Sequence, residues 1–242
     1  MRVLLTNDDG IEAPGLETLY DAVMRCWGDF AEVTVVAPHC GRSECGHGVT
    51  AGRPLRFEEV RPGWISVEGT PVDCVRAALT SLIGEVDLVL SGVNAGANLG
   101  IDLLVSGTFA AAREAALHNA HAMAISHYRR PDVPVTWDHV PRWLEPTFSE
   151  FIASSRAIES DGDRSPMLWN VNLPAIDPET ELPVVVHCDV DTRPMIREAS
   201  QREGHLHLTT DFHGRPRESG SDVDRCFSGH LTISKLPAPF CW

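Results

Sequence analysis

Apolar positions fall in short blocks along this chain, and each change of period marks a new element. Val3, Leu4 and Leu5 form an unbroken apolar run, as expected for a short parallel strand covered on both faces. Leu16, Leu19, Tyr20, Val23 and Trp27 then recur at helical spacing, just after Pro14 and Gly15. A second run from Val33 to Val36 stops at Ala37-Pro38. Strand, helix and strand in this order predict a βαβ unit with a right-handed crossover. Residues 53–68 predict a short hairpin whose better strand is Trp64 to Val67. Thr70-Pro71-Val72-Asp73 is a helix start, with a capping threonine, a proline for the first turn and an acidic partner three residues on. Val75, Ala78, Leu79 and Leu82 continue its buried face.

The same alternation continues to about residue 160. Asp87 to Leu90 predicts a central strand, and SGVNAGANLG follows it. Thr108 to Leu117 reads as an alanine-rich helix, slim enough to lie close on a sheet. Met123 to Ile125 predicts another strand, and Leu144, Phe148, Phe151, Ile152 and Ile158 a long amphipathic helix. Beyond Ser160 the pattern changes. Leu168 to Val171 and Val184 to Val186 are apolar strands, separated and followed by Pro174, Pro178, Pro183 and Pro194. Leu206 and Leu208 alternate with His205 and His207, which predicts a half-exposed strand. Leu231, Ile233 and Leu236 predict a closing one. The expected fold class is α/β, a Rossmann-like, mostly parallel sheet flanked by helices, with a β-rich C-terminal appendage. The boundaries are 1–160 for the core and 161–242 for the β-rich segment, expected to complete the core and to mediate oligomerisation.

Composition narrows the function. At 242 residues the chain has room for one large domain, and its net charge of −14 argues against a broad nucleic-acid or anionic-membrane surface. A small phosphorylated ligand remains compatible, since backbone N–H groups and a metal can bind phosphate locally. No run of 18 apolar residues and no basic-then-apolar leader is present, so a cytoplasmic protein away from membranes is expected. The seven cysteines show no paired CxxC spacing. This argues against structural zinc and against a disulfide framework, although Cys40 and Cys45 share one loop.

Chemistry concentrates where strands end. In an open α/β sheet, ligands gather outside the carboxyl ends of the strands. There the first strand delivers Asn7, Asp8, Asp9 and Gly10. Two adjacent carboxylates are costly unless a cation shares the site, and hard oxygen ligands suit Mg²⁺ or Mn²⁺. Three more loops should reach the same edge. HCGRSECGHG offers His39, Arg42, Ser43 and His47. SGVNAGANLG offers Ser91, Asn94 and Asn98. Ser106-Gly107-Thr108 opens a helix whose free N–H groups favour an anion. Each element has an ordinary alternative: a solvated Asp-Asp-Gly turn, serine and threonine caps, asparagines bonded to loop carbonyls. Their shared position behind consecutive strands is what favours metal-assisted phosphate chemistry. The dinucleotide fingerprint, the Walker lysine motif and the G-x-S-x-G elbow are all missing.

With these residues in hand, the chain resembles the SurE family of metal-dependent 5′(3′)-nucleotidases and phosphatases. The matching blocks are LLTNDDGIEAPG, VVAPHCGRSECG, VEGTPVDCVRAAL, DLVLSGVNAGANLG and VSGTFAAAREA, in family order across residues 1–117. The match is diffuse from 118 to 221, and GHLTISKLP resembles the family's closing strand. The resemblance implies one divalent ion, Mg or Mn, per subunit, held by Asp8, Asp9, Ser43 and Asn94. It implies a phosphate-facing wall of Asn98, Ser106, Gly107 and Thr108. Beside it Arg42 is expected to meet the substrate, and Asp8 and Asp9 are expected to be the catalytic pair, Asp8 positioning or deprotonating the attacking water. It also implies a homodimer or homotetramer.

Four departures from the family pattern stand out, three of them near the expected mouth of the site and His230 on the closing strand. Glu12 takes a position commonly held by histidine, Ala97 replaces the proline of the Asn-Ala-Gly-Pro-Asn loop, and His230 replaces a tyrosine. The approach to Ser43 is His39-Cys40-Gly41-Arg42 rather than Asp-Arg-Asn-Arg. The expected function is a phosphomonoesterase of nucleoside 5′(3′)-monophosphates. The alternatives are a phosphatase of a specialised phosphorylated metabolite and a non-catalytic nucleotide- or phosphate-binding protein.

Overall fold

The computed structural model of the chain describes residues 1–43, 45–160, 165–179 and 182–237. Cys241 lies outside the described residues; the other cysteines are free thiols, Cys40 and Cys45 included. In chain order the elements are β1 (Arg2–Thr6), α1 (Pro14–Trp27), β2 (Glu32–Pro38), β3 (Phe57–Arg61), β4 (Trp64–Val67), α2 (Pro71–Ala77), β5 (Leu88–Asn94), α3 (Gly107–Leu117), β6 (His121–His127), α4 (Val140–Ser160), β7 (Leu168–Leu173), β8 (Val185–His187), β9 (Arg197–Arg202), β10 (His205–Thr210), α5 (Asp222–Phe227) and β11 (Leu231–Leu236).

Nine of the strands form one sheet in the order β3-β4-β2-β1-β5-β6-β7-β11-β8. Neighbours from β4 through β7 are parallel, while β3 and β11 pair antiparallel with β4 and β7. The sheet is a mixed, mostly parallel α/β layer with helices on both faces. Strand alternation divides its core in two. Val3 and Leu5 point into a cluster with Leu16, Leu19, Val23, Trp27, Phe148 and Phe151 from α1 and α4. Leu4 points the other way, among Val36, Val75, Ala111, Ala112 and Ala115 beneath α2 and α3. The alanines let α3 lie close on β5 and β6, so its first turn ends up at the sheet's carboxyl edge.

The segment beyond residue 160 departs from its expected pattern in two places. Strands β7, β11 and β8 extend the main sheet without a break. The histidine-leucine alternation, expected to bury one face, is exposed on both. Here β9 and β10 form a separate two-stranded ribbon turning at Glu203 and Gly204, both at positive φ, with Leu206 and Leu208 in solvent. Residues 222–227 add a short helix that the proline-rich sequence gave no reason to expect.

Candidate active site

Strand β1 delivers the first side chains. Beyond Thr6 the chain turns back on itself through Asn7, whose side chain donates to the Gly10 carbonyl at 2.8 Å and accepts from the Gly10 N–H at 3.2 Å. Gly10 has φ +105, and a Cβ there would meet the Cys40 backbone at 3.0 Å, so this turn admits only glycine. The turn holds Asp8 buried and Asp9 half-buried.

Burial pushes the Asp8 carboxyl up to about 6, with the charge of Asp9 adding to the rise and hydrogen bonds from Thr108 opposing it. Burial also raises Asp9, against a hydrogen bond from the Ala95 N–H at 3.2 Å. No Lys, Arg or His among the described residues lies within ion-pair distance of either carboxylate.

Helix α3 meets Asp8 directly. Thr108 donates its hydroxyl to Asp8 Oδ1 at 2.6 Å. A Cβ on Gly107 would sit 2.9 Å from Asp8 Cβ, so glycine is what permits the approach. The Ser106 hydroxyl caps the helix by accepting from the Phe109 N–H at 3.0 Å. The structure therefore gives Ser106 and Thr108 the cap and the carboxylate contact, and places Asp8 at the helix start.

The loop after β2 closes from the other side. The Arg42 N–H donates to the Asp8 carbonyl at 2.7 Å, and Ser43, the next residue, is exposed. Arg42 Nε is buried with no hydrogen-bond partner. The His39 side chain meets its neighbour Cys40, and its N–H donates to the Val67 carbonyl at 2.9 Å. His47 serves the loop instead of the site: it binds Glu114 on α3 at 2.9 Å, while Thr50 binds Asp73 at 2.6 Å. Asp73 also completes the capping box of α2 with Thr70, as the sequence predicted.

The loop after β5 supplies the amides. Asn94 donates Nδ2 to the Gly96 carbonyl at 2.8 Å, leaving Oδ1 as the atom for a cation. Ser91 stays inside β5, buried. Asn98 is held hard. Its Nδ2 donates to Ser126 Oγ at 2.8 Å and lies 3.5 Å from Thr108 Oγ1. Its N–H donates to Asn172 Oδ1 at 2.9 Å, and its carbonyl accepts from both Asn170 and Asn172 at 2.9 Å. Sequence reasoning missed Asn170, Asn172 and Ser126. The signal was two asparagines in the apolar run WNVNL: a buried strand carries polar side chains at its carboxyl end only when something there uses them.

Glu12 is exposed on the turn after Gly10, and Ala97 packs toward Tyr128, Phe212 and Phe227. Among the described residues no group of three or more His, Cys, Asp and Glu side chains could hold a metal ion. The set here is two carboxylates with amide and hydroxyl oxygens, a hard-oxygen donor set of the kind that Mg²⁺ and Mn²⁺ accept. A desolvated carboxylate pair with no cationic partner among the described residues fits such an ion.

A parallel sheet whose carboxyl edge gathers carboxylates, amides and a helix start in this way defines an α/β phosphomonoesterase for small phosphorylated substrates. The chain belongs to the SurE family: the family described as Survival protein SurE matches residues 3–195. A putative 5′-nucleotidase of Nostoc sp. is 38% identical over 236 residues, covering 98% of this chain and 99% of the relative. The 5′-nucleotidase SurE of Maridesulfovibrio salexigens is 36% identical over 252 residues, covering 99% and 94%. The crystal structure of the SurE protein from Aquifex aeolicus superposes with a TM-score of 0.80 at 25% identity, over 99% of this chain and 94% of that one.

Proposed function

We propose that this enzyme hydrolyses nucleoside 5′(3′)-monophosphates in the cytoplasm, with one Mg or Mn ion per chain held by Asp8, Asp9, Ser43 and Asn94. The observation that carries the reading is the desolvated Asp8–Asp9 pair, set against the start of α3 with no cationic side chain among the described residues within ion-pair distance. A divalent ion bound there would offset both carboxylates and polarise a phosphoryl oxygen.

The chain's own residues supply the rest. Arg42 supplies positive charge for the remaining phosphoryl oxygens, Asn98 lines the wall in the place that Ser126, Asn170 and Asn172 fix for it, and Ser106, Gly107 and Thr108 close that wall at the helix start. The contact from Thr108 fixes which way Asp8 points. Asp8, so fixed, orients the attacking water and accepts its proton. Exposed Glu12 adds negative charge at the mouth, which favours monoesters over di- and triphosphates.

A phosphate-release screen tests the reading, run with Mn²⁺, with Mg²⁺ and with chelator across nucleoside mono-, di- and triphosphates, sugar phosphates and aryl phosphates. Metal-dependent release fastest from a nucleoside monophosphate is expected. Faster hydrolysis of ATP than of every monoester overturns the charge argument. Turnover of one unusual metabolite alone moves the substrate to the specialised class, which Ala97 and the altered 38–48 loop favour. The exposed Leu206 and Leu208 on the β9–β10 ribbon support association of two or four copies through this arm, and sedimentation of the intact chain checks it.

A further inference from the structure

A second set of side chains stands just outside the Asn98 wall. On β6, Ala122 and Ala124 face α3, and period-two alternation carries the same face outward to Ser126 and Tyr128. Ser126 touches Asn98. Tyr128 extends the ladder one step past the strand, its N–H donating to the Leu173 carbonyl at 2.9 Å. Two residues of strand place it about 7 Å further out. Ala97, one residue before Asn98, packs against the cluster that holds Tyr128, as do Phe212 and Phe227.

There a cavity of about 360 Å³ opens, lined by Tyr128, Arg130, Asp132, His213, Arg217 and Phe227 among others. Its volume is within the range of small-molecule sites. Tyr128 stacks on Phe227 with centroids 4.5 Å apart and planes 11° from parallel. The Tyr128 hydroxyl is bonded to His213 Nδ1 at 2.8 Å, which leaves His213 Nε2 facing away from that bond. The Arg217 guanidinium lies 5.2 Å from the Phe227 ring centroid, with its Nε 3.8 Å from Asp224 Oδ1 and outside hydrogen-bond distance of it. Asp132, the one acid of the lining, is engaged through both oxygens by Arg130. Free hydrogen-bonding capacity in the cavity is therefore mostly that of donors, on an aromatic floor, in a chain whose net charge is −14.

We infer that this cavity is the leaving-group subsite, and that it takes a planar ring whose edge carries acceptors, such as a 6-keto purine nucleoside. The inference rests on the phosphomonoesterase reading of the Asp8 edge. A phosphoryl group at Asn98 puts the sugar over Ala97, whose small side chain leaves the passage open, and brings the ring to Tyr128 and His213. An arginine fork matches a keto oxygen with its neighbouring ring nitrogen, whereas a 6-amino group offers a donor to donors. The larger cavity along α3 is walled mostly by apolar side chains, Leu103, Leu104, Phe109 and Leu117 among them, and Arg113 in its lining donates to His47 at 3.1 Å.

The test compares inosine 5′-monophosphate, adenosine 5′-monophosphate and glycerol phosphate in the parent and in His213→Ala and Arg217→Ala. Both side chains are exposed, so neither change removes core packing. The parent is expected to favour the inosine ester over the adenosine ester at least fivefold in kcat/KM. Each variant should raise KM for the inosine ester at least tenfold with kcat within threefold, and move KM for glycerol phosphate less than twofold. Equal losses on the inosine ester and glycerol phosphate, or an unchanged KM for the inosine ester, overturn the subsite while the reaction stands. If nucleotides are inert but an aryl phosphate shows the same KM split, the nucleotide reading fails and the subsite stands. A parent that prefers the adenosine ester overturns the acceptor-edge assignment.

Discussion

The Thr108 hydroxyl and Asp8 Oδ1 meet at 2.6 Å although 100 residues of chain separate them. The contact ties the end of β1 to the start of α3, so the orientation of the central carboxylate is set by the packing of an alanine-rich helix on the sheet. Gly107, one residue earlier, brings the two backbones close enough for it to form.

Asp8→Asn keeps the size and the Thr108 contact but removes the charge. Turnover should fall at least 10²-fold, roughly 3 kcal/mol of transition-state stabilisation, with the melting temperature at or above that of the parent because a desolvated charge is lost. Mn²⁺ affinity, read by calorimetry, should drop at least tenfold in the same variant. Turnover within threefold of the parent at saturating metal sinks the assigned role.

Gly107→Val tests the close approach. Its Cβ would sit 2.9 Å from Asp8 Cβ, which cannot swing aside as the end of a long side chain could. Overpacking of this kind costs about 1–3 kcal/mol, measurable by urea unfolding. Because the atom met belongs to Asp8, metal and phosphate affinity should weaken together. Unchanged affinity for both would place Asp8 outside the site.

Asn172→Leu tests a residue with no direct part in the chemistry. Its amide accepts from the Asn98 N–H and donates to the Asn98 carbonyl, both at 2.9 Å in a buried setting. Leucine fills a similar volume and leaves the Asn98 N–H without a partner, at a cost of about 1–3 kcal/mol. The loosened wall should lower kcat at least fivefold. Full activity in a destabilised variant would show that Asn98 positioning is irrelevant to turnover.

Acid stability should be governed first by two histidines. Burial and then the charge of Arg129 lower His127 to about 3 and His139 to about 4 from the ordinary 6.5, and their Nε2 atoms are 2.8 Å apart. Above 6.5 both are neutral, folded or unfolded, and their contribution is complete. Below 6.5 the unfolded chain takes up protons that the folded chain refuses, so stability falls toward pH 4, by up to about 1.4 kcal/mol per pH unit for one proton. Glu114 joins only below its ordinary 4.5. Burial raises it, but hydrogen bonds from His47 and Arg76 outweigh that and hold it at about 2. Urea unfolding between pH 7 and 4 should show a flatter dependence for His127→Phe, by about one proton. Asp8, raised to about 6 in the metal-free chain, works the other way below that pH by up to one proton, so the check is the difference between parent and variant: equal slopes from pH 6.5 to 4 would contradict this.

What the sequence determined was everything that depends on neighbours along the chain. The run at Val3 to Leu5, the helical spacing from Leu16 to Trp27 and the capping box at Thr70 each carry their own physical signal, and each formed where expected. Because parallel strands end at one edge, the loops bearing Asp8, Arg42, Asn94 and Thr108 could also be assigned to a shared edge from order alone. Tertiary structure decided what each side chain does there. Spacing cannot say that Thr108 binds Asp8 rather than a ligand, that His47 anchors a loop through Glu114, or that Asn170 and Asn172 on β7 hold Asn98. Those partners are 67 to 100 residues apart and meet only because the sheet brings β1, β5, β6 and β7 side by side. The fate of Leu206 and Leu208 was beyond sequence for the same reason: alternation defines the faces of a strand, and only the neighbours that pack on a face determine whether it is buried.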